Sequence, residues 1–285
     1  MMNLRIAIQK SGRLSEDSIK LLNDCGIAVK SSGAKLRSVA ENFPVEVYFL
    51  RDDDIPQYVQ DGVADIGIVG ENVLYEKCKD VDVVLPLGFG RCRLSLAVPR
   101  GMAYAGPADL EGMKIATSYP FLLQTFLRKH RVEAEIHEIS GSVEIAPGIG
   151  LADAVCDLVS SGSTLFMNGL QEVETLLDSQ AVLVRHATLD AVKEEILRRM
   201  IFRIRSVQAA QKNKYILLNA PNNALDTIFS LLPGMKSPTV LPLAEEGWSS
   251  VHSVLPEDEF WDKIEALKAA GAQGILVVPI EKMIL

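Results

Sequence analysis

Asp65-Ile-Gly-Ile-Val-Gly70 is almost wholly apolar and runs directly into Glu71-Asn72. Two similar segments precede it: Leu4–Gln9, which stops at Lys10-Ser11-Gly12-Arg13, and Val45–Leu50. Helical spacers lie between them. Ser15-Glu16-Asp17 reads as an N-cap with acidic first-turn residues, closed by Gly26, and Asp52-Asp53-Asp54 opens a short helix ending at Gly62. Apolar strands alternating with helices predict an α/β fold with a parallel sheet covered on both faces.

Working outward, a second unit starts near Cys92. Strands are expected at Arg93–Pro99, Lys114–Thr117, Ile136–Ile139 and Val155–Val159, and helices at Phe121–His130 and Val143–Ala152. Ser160-Ser161-Gly162-Ser163-Thr164 then opens a helix into the segment Leu165–Leu177, and Ala181–Arg185 is a strand that returns to the first unit. From Thr188 the period changes: Val192, Ile196, Met200, Ile204 and Val207 mark one long amphipathic helix bridging to the last unit. That unit reads strand 215–219, helix 225–232, strand 239–243, strand 250–255, helix 258–270, strand 274–279. The βαββαβ order is ferredoxin-like.

Length and composition bound the possible functions. The chain has 285 residues, enough for two domains, or three if one is small. Lys and Arg number 29 against 37 Asp and Glu, a net charge of −8, and no basic run occurs, which argues against a nucleic-acid-binding face. No apolar stretch is long enough to span a membrane. The start of the chain reads as a strand rather than a secretory signal, so a reducing cytoplasmic setting is expected, with Cys25, Cys78, Cys92 and Cys156 as small buried hydrophobes. Their spacing offers no zinc site.

The chemistry concentrates in Asp153–Leu165. A buried strand ends in the hydroxyl-rich turn Ser160–Thr164, whose N–H groups and hydroxyls suit a phosphate, while Asp153 and Asp157 suit ribose hydroxyls or a hydrated Mg²⁺. The same turn also reads as a plain connection and helix cap. Lys10-Ser11-Gly12-Arg13 lies at the C-terminal edge of a strand, the usual ligand crevice of such sheets, and Arg51 and Gly70-Glu71-Asn72 share that position. Gly88-Phe89-Gly90-Arg91-Cys92-Arg93 imitates a dinucleotide fingerprint but precedes a strand. His130, His137, His186 and His252 have no partner visible in the sequence, no Gly-x-Ser-x-Gly elbow exists, and Trp248 and Trp261 read as core or interface anchors.

Taken together, Lys10-Ser-Gly-Arg-Leu14, Arg51-Asp-Asp-Asp-Ile-Pro56, Asp65–Asn72, Ala116-Thr-Ser-Tyr-Pro120, Ser140-Gly-Ser-Val-Glu144, Asp153–Leu165 and the terminal βαββαβ unit resemble, in order and over essentially the whole chain, the ATP phosphoribosyltransferases of the long, histidine-regulated form. The resemblance implies a two-lobed catalytic part similar to type II periplasmic binding proteins plus a C-terminal ferredoxin-like regulatory domain. With the element order it divides the chain into residues 1–92 with 178–205, residues 93–177, and residues 206–285. The implied reaction joins ATP and phosphoribosyl pyrophosphate (PRPP) to give phosphoribosyl-ATP and pyrophosphate, with Mg²⁺, as the first step of histidine biosynthesis. Histidine is the implied inhibitor, and homo-oligomers (dimers and hexamers) the implied assembly.

Residue by residue, the resemblance implies that Ser160, Ser161, Gly162, Ser163 and Thr164 hold the 5′-phosphate, with Glu144, Asp153 and Asp157 completing the PRPP motif. Lys10, Gly12 and Arg13 match the loop approaching the phosphates and nucleotide, and Arg51, Gly70 and Glu71 the opposite wall of the ATP site. Asp157, Lys10 and Arg13 are the catalytic candidates. Asn219, Thr239, Val254 and Gly274 match the histidine pocket, Asn219 standing where some relatives carry an acidic residue. No dedicated protein ligand is expected for Mg²⁺, which travels with PRPP or pyrophosphate. A non-catalytic solute-binding protein shares the two-lobed architecture, and a small-molecule sensor the terminal domain.

Overall fold

The structure, a computed structural model, describes residues 3–30 and 36–284; Met1 and Met2, read above with the first strand, lie outside the described residues. The chain separates into two compact units, one of residues 1–23 with 27–196 and the other of residues 24–26 with 197–285.

The first unit contains two sheets. In the six-stranded sheet the order is β2 (Arg37–Val39), β3 (Val45–Leu50), β1 (Leu4–Gln9), β4 (Ile66–Gly70), β11 (Ala181–Arg185), β5 (Asp82–Pro86). β1 pairs in parallel with β3 and β4, so the three apolar segments become three adjacent strands with their C-terminal ends at one edge. Ile6, Ile8, Val47, Ile66 and Ile68 are almost completely buried there. The sheet is mixed, not wholly parallel: β2 and β3 form a hairpin, and β11 runs antiparallel to β4 and β5. A short connection permits only the antiparallel pairing, and a strand returning from another sheet can enter from the opposite end. α1 (Arg13–Asp24), α2 (Ile55–Gln60) and α3 (Glu71–Lys77) follow β1, β3 and β4.

The second sheet has the order β10 (Leu170–Ser179), β6 (Cys92–Pro99), β9 (Ala154–Val159), β7 (Lys114–Thr117), β8 (Glu135–Glu138). α4 (Pro120–His130) follows β7, and Leu94, Leu96, Ile115, Leu123 and Leu127 form its core. Two expectations fail here. Residues 143–152 form a single helical turn, Val143–Ile145, because Pro147 and Gly150 (φ +72°) break any longer helix. The helix after Ser160–Thr164, α5 (Ser163–Met167), is only five residues long; Gly169 (φ +73°) ends that segment, and Leu170–Ser179 becomes a strand paired with β6. The chain passes between the two sheets twice, after β5 and after β10.

α6 (Ala191–Gln211) crosses from the first unit into the second between Ile196 and Leu197. Ile196, Met200, Ile204 and Val207 are buried as their period predicts, whereas Val192 is exposed. In the second unit β12 (Asn213–Pro221), α7 (Leu225–Leu231), β13 (Thr239–Pro242), β14 (Trp248–Pro256), α8 (Glu257–Ala269) and β15 (Gln273–Pro279) follow the expected βαββαβ order, forming an antiparallel sheet β13-β14-β12-β15. Ile216, Leu218, Val251 and Leu255 meet Ile228, Phe260 and Leu267 of the helices in one core. Trp261 is 72% exposed, so it is no core anchor, and Trp248 is half-buried. All four cysteines are free; Cys25 and Cys156 are buried as expected, but Cys78 is exposed and Cys92 half-buried. Among the described residues no helix is long and apolar enough to cross a membrane.

Candidate active site

Parallel strands end on the same side, so the loop after each strand of the β3-β1-β4 trio projects from one edge. The Lys10 N–H donates to the Leu50 carbonyl (2.7 Å), binding the Lys10–Arg13 loop to the end of β3 and bringing it beside Arg51. Gly12 holds φ +91°, which a residue with a Cβ adopts only with strain. Gly70 caps α3; an added Cβ would meet Asn72 Oδ1 at 2.3 Å, so a larger residue here would have to displace the Asn72 side chain from its hydrogen bonds to Ser179 and Tyr119.

On the second sheet, β9 ends at Val159 and the chain turns through Ser160–Thr164. A cavity of about 250 Å³ is lined by this whole turn, by Asp157, by Glu144 from the turn after β8, and by Arg13 at the start of α1. Arg13, Glu144, Asp157, Ser160, Ser161, Gly162, Ser163 and Thr164, far apart in sequence, thus come together. Gly162 is left-handed (φ +79°), and Ser161 and Ser163 share a hydroxyl–hydroxyl hydrogen bond of 2.9 Å. Because α5 spans only five residues, its end charge is small. The donors that matter are the turn's own N–H groups and hydroxyls.

Asp157 is the perturbed group of the cavity. Burial pushes its carboxyl up to about 6; the hydrogen bond donated by the Leu158 N–H to Oδ1 (2.8 Å) pulls the other way, and the Glu144 charge adds to the rise. Such a carboxyl gains by approaching positive charge, and perturbed groups of this kind cluster at functional sites. Among the described residues no group of three or more His, Cys, Asp or Glu side chains could hold a metal ion.

Several sequence candidates lie elsewhere. Asp153 is separated from the turn by the whole of β9, about 20 Å for six extended residues. It accepts a hydrogen bond from the Lys114 N–H (2.8 Å) and lines a different cavity of about 690 Å³ with Met102, Met113 and Leu151, so it does not join Asp157. The strand that makes the motif legible also separates its two aspartates: Asp153 precedes β9 and Asp157 is its fourth residue, about 13 Å along. Glu71 accepts a hydrogen bond from the Gln180 N–H (3.2 Å) and lines a third cavity, with Arg91, Cys92 and Asp178. Lys10, Gly12, Arg51 and Gly70 lie at the strand-end edge outside the Asp157 cavity. His186 and His252 do have partners, the Val59 carbonyl and the Tyr215 and Ser250 hydroxyls.

Glu76 carries no signal in the sequence, and Asn72, Tyr119 and Arg93, which fall in motifs or at a strand end, gain their partners only in the fold. The Asn72 amide donates to the Tyr119 hydroxyl (3.0 Å), and Glu76, one helical turn on, accepts from the Phe121 and Leu122 N–H groups at the start of α4 (2.9 and 3.0 Å). Both reach from α3 to α4, joining the flanks of the two sheets. Partners this distant in sequence leave no local signal; only the apolar-to-polar switch at Gly70-Glu71-Asn72 hints that the position matters.

In the second unit, Tyr215, Leu217 and Asn219 of β12 alternate with the core residues and face away from the helices, as do Ser250, His252 and Val254 of β14. Thr239 stands opposite His252, and the position of a Cβ on Gly274 lies 3.5 Å from Asn219 Nδ2. Asn219, Thr239, Val254 and Gly274 therefore lie on the open face of one sheet, with Val254 four residues along the ladder from the position opposite Asn219.

Comparison with known proteins agrees with this architecture. The family model for ATP phosphoribosyltransferase (HisG) matches residues 51–206, and that for the HisG C-terminal domain matches residues 210–282. An ATP phosphoribosyltransferase of Cytophaga hutchinsonii is 61% identical, covering 99% of this chain and 98% of its own; one of Phocaeicola vulgatus is 55% identical, covering 99% and 100%. Among solved structures, the ATP phosphoribosyl transferase (HisG:HisZ) complex from Thermotoga maritima gives a TM-score of 0.62 at 26% identity, covering 71% of this chain and 98% of that one. The arginine-bound protein Tv2483, at 14% identity and TM-score 0.51, shares the fold alone. The first unit has the two-lobed fold of type II periplasmic binding proteins and the second is ferredoxin-like. With two family models and full-length relatives in agreement, the chain belongs to the ATP phosphoribosyltransferase family, pentosyltransferases of histidine biosynthesis.

Proposed function

We propose that the protein joins N1 of the adenine of ATP to the anomeric carbon of PRPP, releasing pyrophosphate, and that histidine inhibits it. The observation that carries the reading is the cavity in which Arg13 and Glu144 meet Asp157 and the Ser160–Thr164 turn. The adenine nitrogen already has a lone pair, so the displacement calls for no strong base and no covalent intermediate. What it calls for is two polyanions held in line and charge placed where the leaving group departs. Ser160–Thr164 would hold the 5′-phosphate. Asp157 and Glu144 would accept from the ribose hydroxyls and favour positive charge developing on the ring, while Lys10, Gly12 and Arg13 would hold the phosphates. Arg51, Gly70 and Glu71 form the nucleotide wall in this reading, and Asp153 belongs to the PRPP motif from just before β9, outside the Asp157 cavity.

Mg²⁺ bound to the pyrophosphate would supply neutralisation of its charge. The two cavity carboxylates, hard oxygen donors with Asp157 already destabilised as an anion, suit a cation's water shell. In this reading the lobes are residues 1–92 with 178–205 and residues 93–177, and residues 206–285 form the regulatory domain, where Asn219, Thr239, Val254 and Gly274 would receive histidine. Homo-oligomerisation as dimers and hexamers and a cytoplasmic location belong to the same proposal.

The test is direct. Protein, ATP, PRPP and Mg²⁺ are mixed, and the ultraviolet change on alkylation of adenine is followed with and without histidine. Absence of product under all conditions would sink the catalytic reading, and product formation indifferent to histidine would sink only the regulatory one. If Asp157→Asn and Thr164→Ala both kept wild-type PRPP affinity and turnover, the site assignment would be wrong.

A further inference from the structure

We infer that Arg93 is a positioning residue that holds the first peptide of the Ser160–Thr164 turn in the orientation an anion requires. The inference rests on the reading of that turn as a phosphate site. β6 lies between β9 and β10, with Arg93 opposite Val159 on one side and Asp178 on the other. The Arg93 guanidinium grips both carboxylate oxygens of Glu172 on β10 through Nε and Nη2. Its remaining nitrogen, Nη1, donates to the Ser160 carbonyl at 3.4 Å. Ser95, buried two residues along β6, donates its hydroxyl to Glu172 Oε1 at 2.7 Å. Glu172 is thus held from two sides, and it holds Arg93. A two-point arginine–carboxylate contact fixes the plane of the guanidinium as well as its position.

The consequence follows from peptide planarity. The Ser160 carbonyl and the Ser161 N–H belong to one rigid trans peptide and point in opposite directions. Arg93 is not among the residues lining the cavity. By drawing the Ser160 oxygen toward itself, it turns the negative end of that peptide away from the anion and directs the Ser161 N–H the other way. Without it, the peptide is free to rotate next to left-handed Gly162 and present a carbonyl oxygen to a phosphate. The Arg91-Cys92-Arg93 segment, which only imitates a dinucleotide fingerprint in the sequence, acquires a physical role of its own.

The experiment titrates ribose 5-phosphate into the full chain by calorimetry and measures the Michaelis constants for PRPP and ATP separately. Arg93→Gln and Glu172→Gln are each expected to weaken ribose 5-phosphate binding and raise the KM for PRPP about tenfold, the scale of one charge-assisted hydrogen bond. The KM for ATP and the kcat should move less than about twofold. Arg93→Lys, which keeps charge and bulk but not the fork, should fall on the weakened side and serves as the variant most compatible with folding. A general structural defect would move both Michaelis constants and the melting temperature together, and that result overturns the inference. So does unchanged affinity in Arg93→Gln or Arg93→Lys. Tighter binding in Glu172→Gln would overturn it too, since a released arginine would then be contacting the phosphate itself. If the wild-type protein binds no ribose 5-phosphate, the phosphate reading of the turn fails first and the role of Arg93 with it.

Discussion

Asn72 Nδ2 donates to the Tyr119 hydroxyl oxygen across 3.0 Å, tying α3 beside the first sheet to the cap of α4 beside the second. The direction of this bond is set by a third residue. The Asn72 N–H donates to Ser179 Oγ (3.0 Å), and that hydroxyl donates in turn to Asn72 Oδ1 (2.9 Å), which leaves the NH₂ group for the tyrosine. Asn72 and Ser179 are buried, so an unmatched donor or acceptor here is costly.

Replacing Asn72 with alanine should therefore cost about 1–3 kcal/mol in urea unfolding, because it takes the acceptor from the Ser179 hydroxyl and the donor from the Tyr119 hydroxyl together. Tyr119→Phe removes one acceptor and should cost less. A loss for Asn72→Ala no larger than for an exposed Asn-to-Ala change, such as Asn168→Ala, would contradict the account.

The raised Asp157 pKa makes stability depend on pH with a definite sign. Its folded-state value of about 6 lies above the ordinary 3.8, so the fold favours the neutral carboxyl. Stability from this group is fully present below about pH 3.8 and is lost as pH rises through about 6. Asp157→Asn, neutral at every pH, should melt a few degrees higher than the wild type at pH 7.5 and no higher at pH 3.5. Differential scanning calorimetry at the two pH values decides the matter, and coincident curves at pH 7.5 would count against a desolvated carboxylate.

Asp65 predicts the opposite dependence. Burial is the largest single influence and opposes its charge, but the hydrogen bonds from the Arg5 side chain, Lys193 and the Arg5 N–H, with the Arg5 charge, together outweigh it and hold the carboxyl below the usual carboxylate range. It accepts from Arg5 N (2.8 Å), Nε (3.0 Å) and Nη2 (2.7 Å) and from Lys193 Nζ (2.9 Å) while only 3% exposed. Asp65→Ala should cost about 3–5 kcal/mol at pH 7, since it leaves two cations without their counter-charge. That difference should shrink as pH falls below about 3.8, where the wild-type carboxylate itself becomes protonated.

Gly162 should resist substitution for backbone reasons alone. A Cβ there would meet nothing closer than Val159 Cγ1 at 3.9 Å, yet φ is +79°. Gly162→Ala should cost about 1 kcal/mol of stability and, by straining the turn, raise the KM for PRPP. An alanine variant equal to wild type in both thermal melting and KM would show that the turn does not need its left-handed residue.

The strands Leu4–Gln9, Val45–Leu50, Lys114–Thr117 and Ala181–Arg185, and the order of the last six elements, were legible from sequence because their causes are local. Apolar runs, caps, and glycines at turns act within a few residues. The hydroxyl-rich turn could be read for the same reason. The direction of β11, the strand at Leu170–Ser179, the distance between Asp153 and Asp157, and the Asn72–Tyr119 and Arg93–Ser160 contacts were decided by tertiary structure. Each depends on which strand lies next to which, and on hydrogen bonds between residues tens of positions apart. A local pattern contains only one partner of such a bond. Sequence alone therefore determined the elements and the chemical character of the turn, while the folded chain decided which of the candidate residues share a cavity.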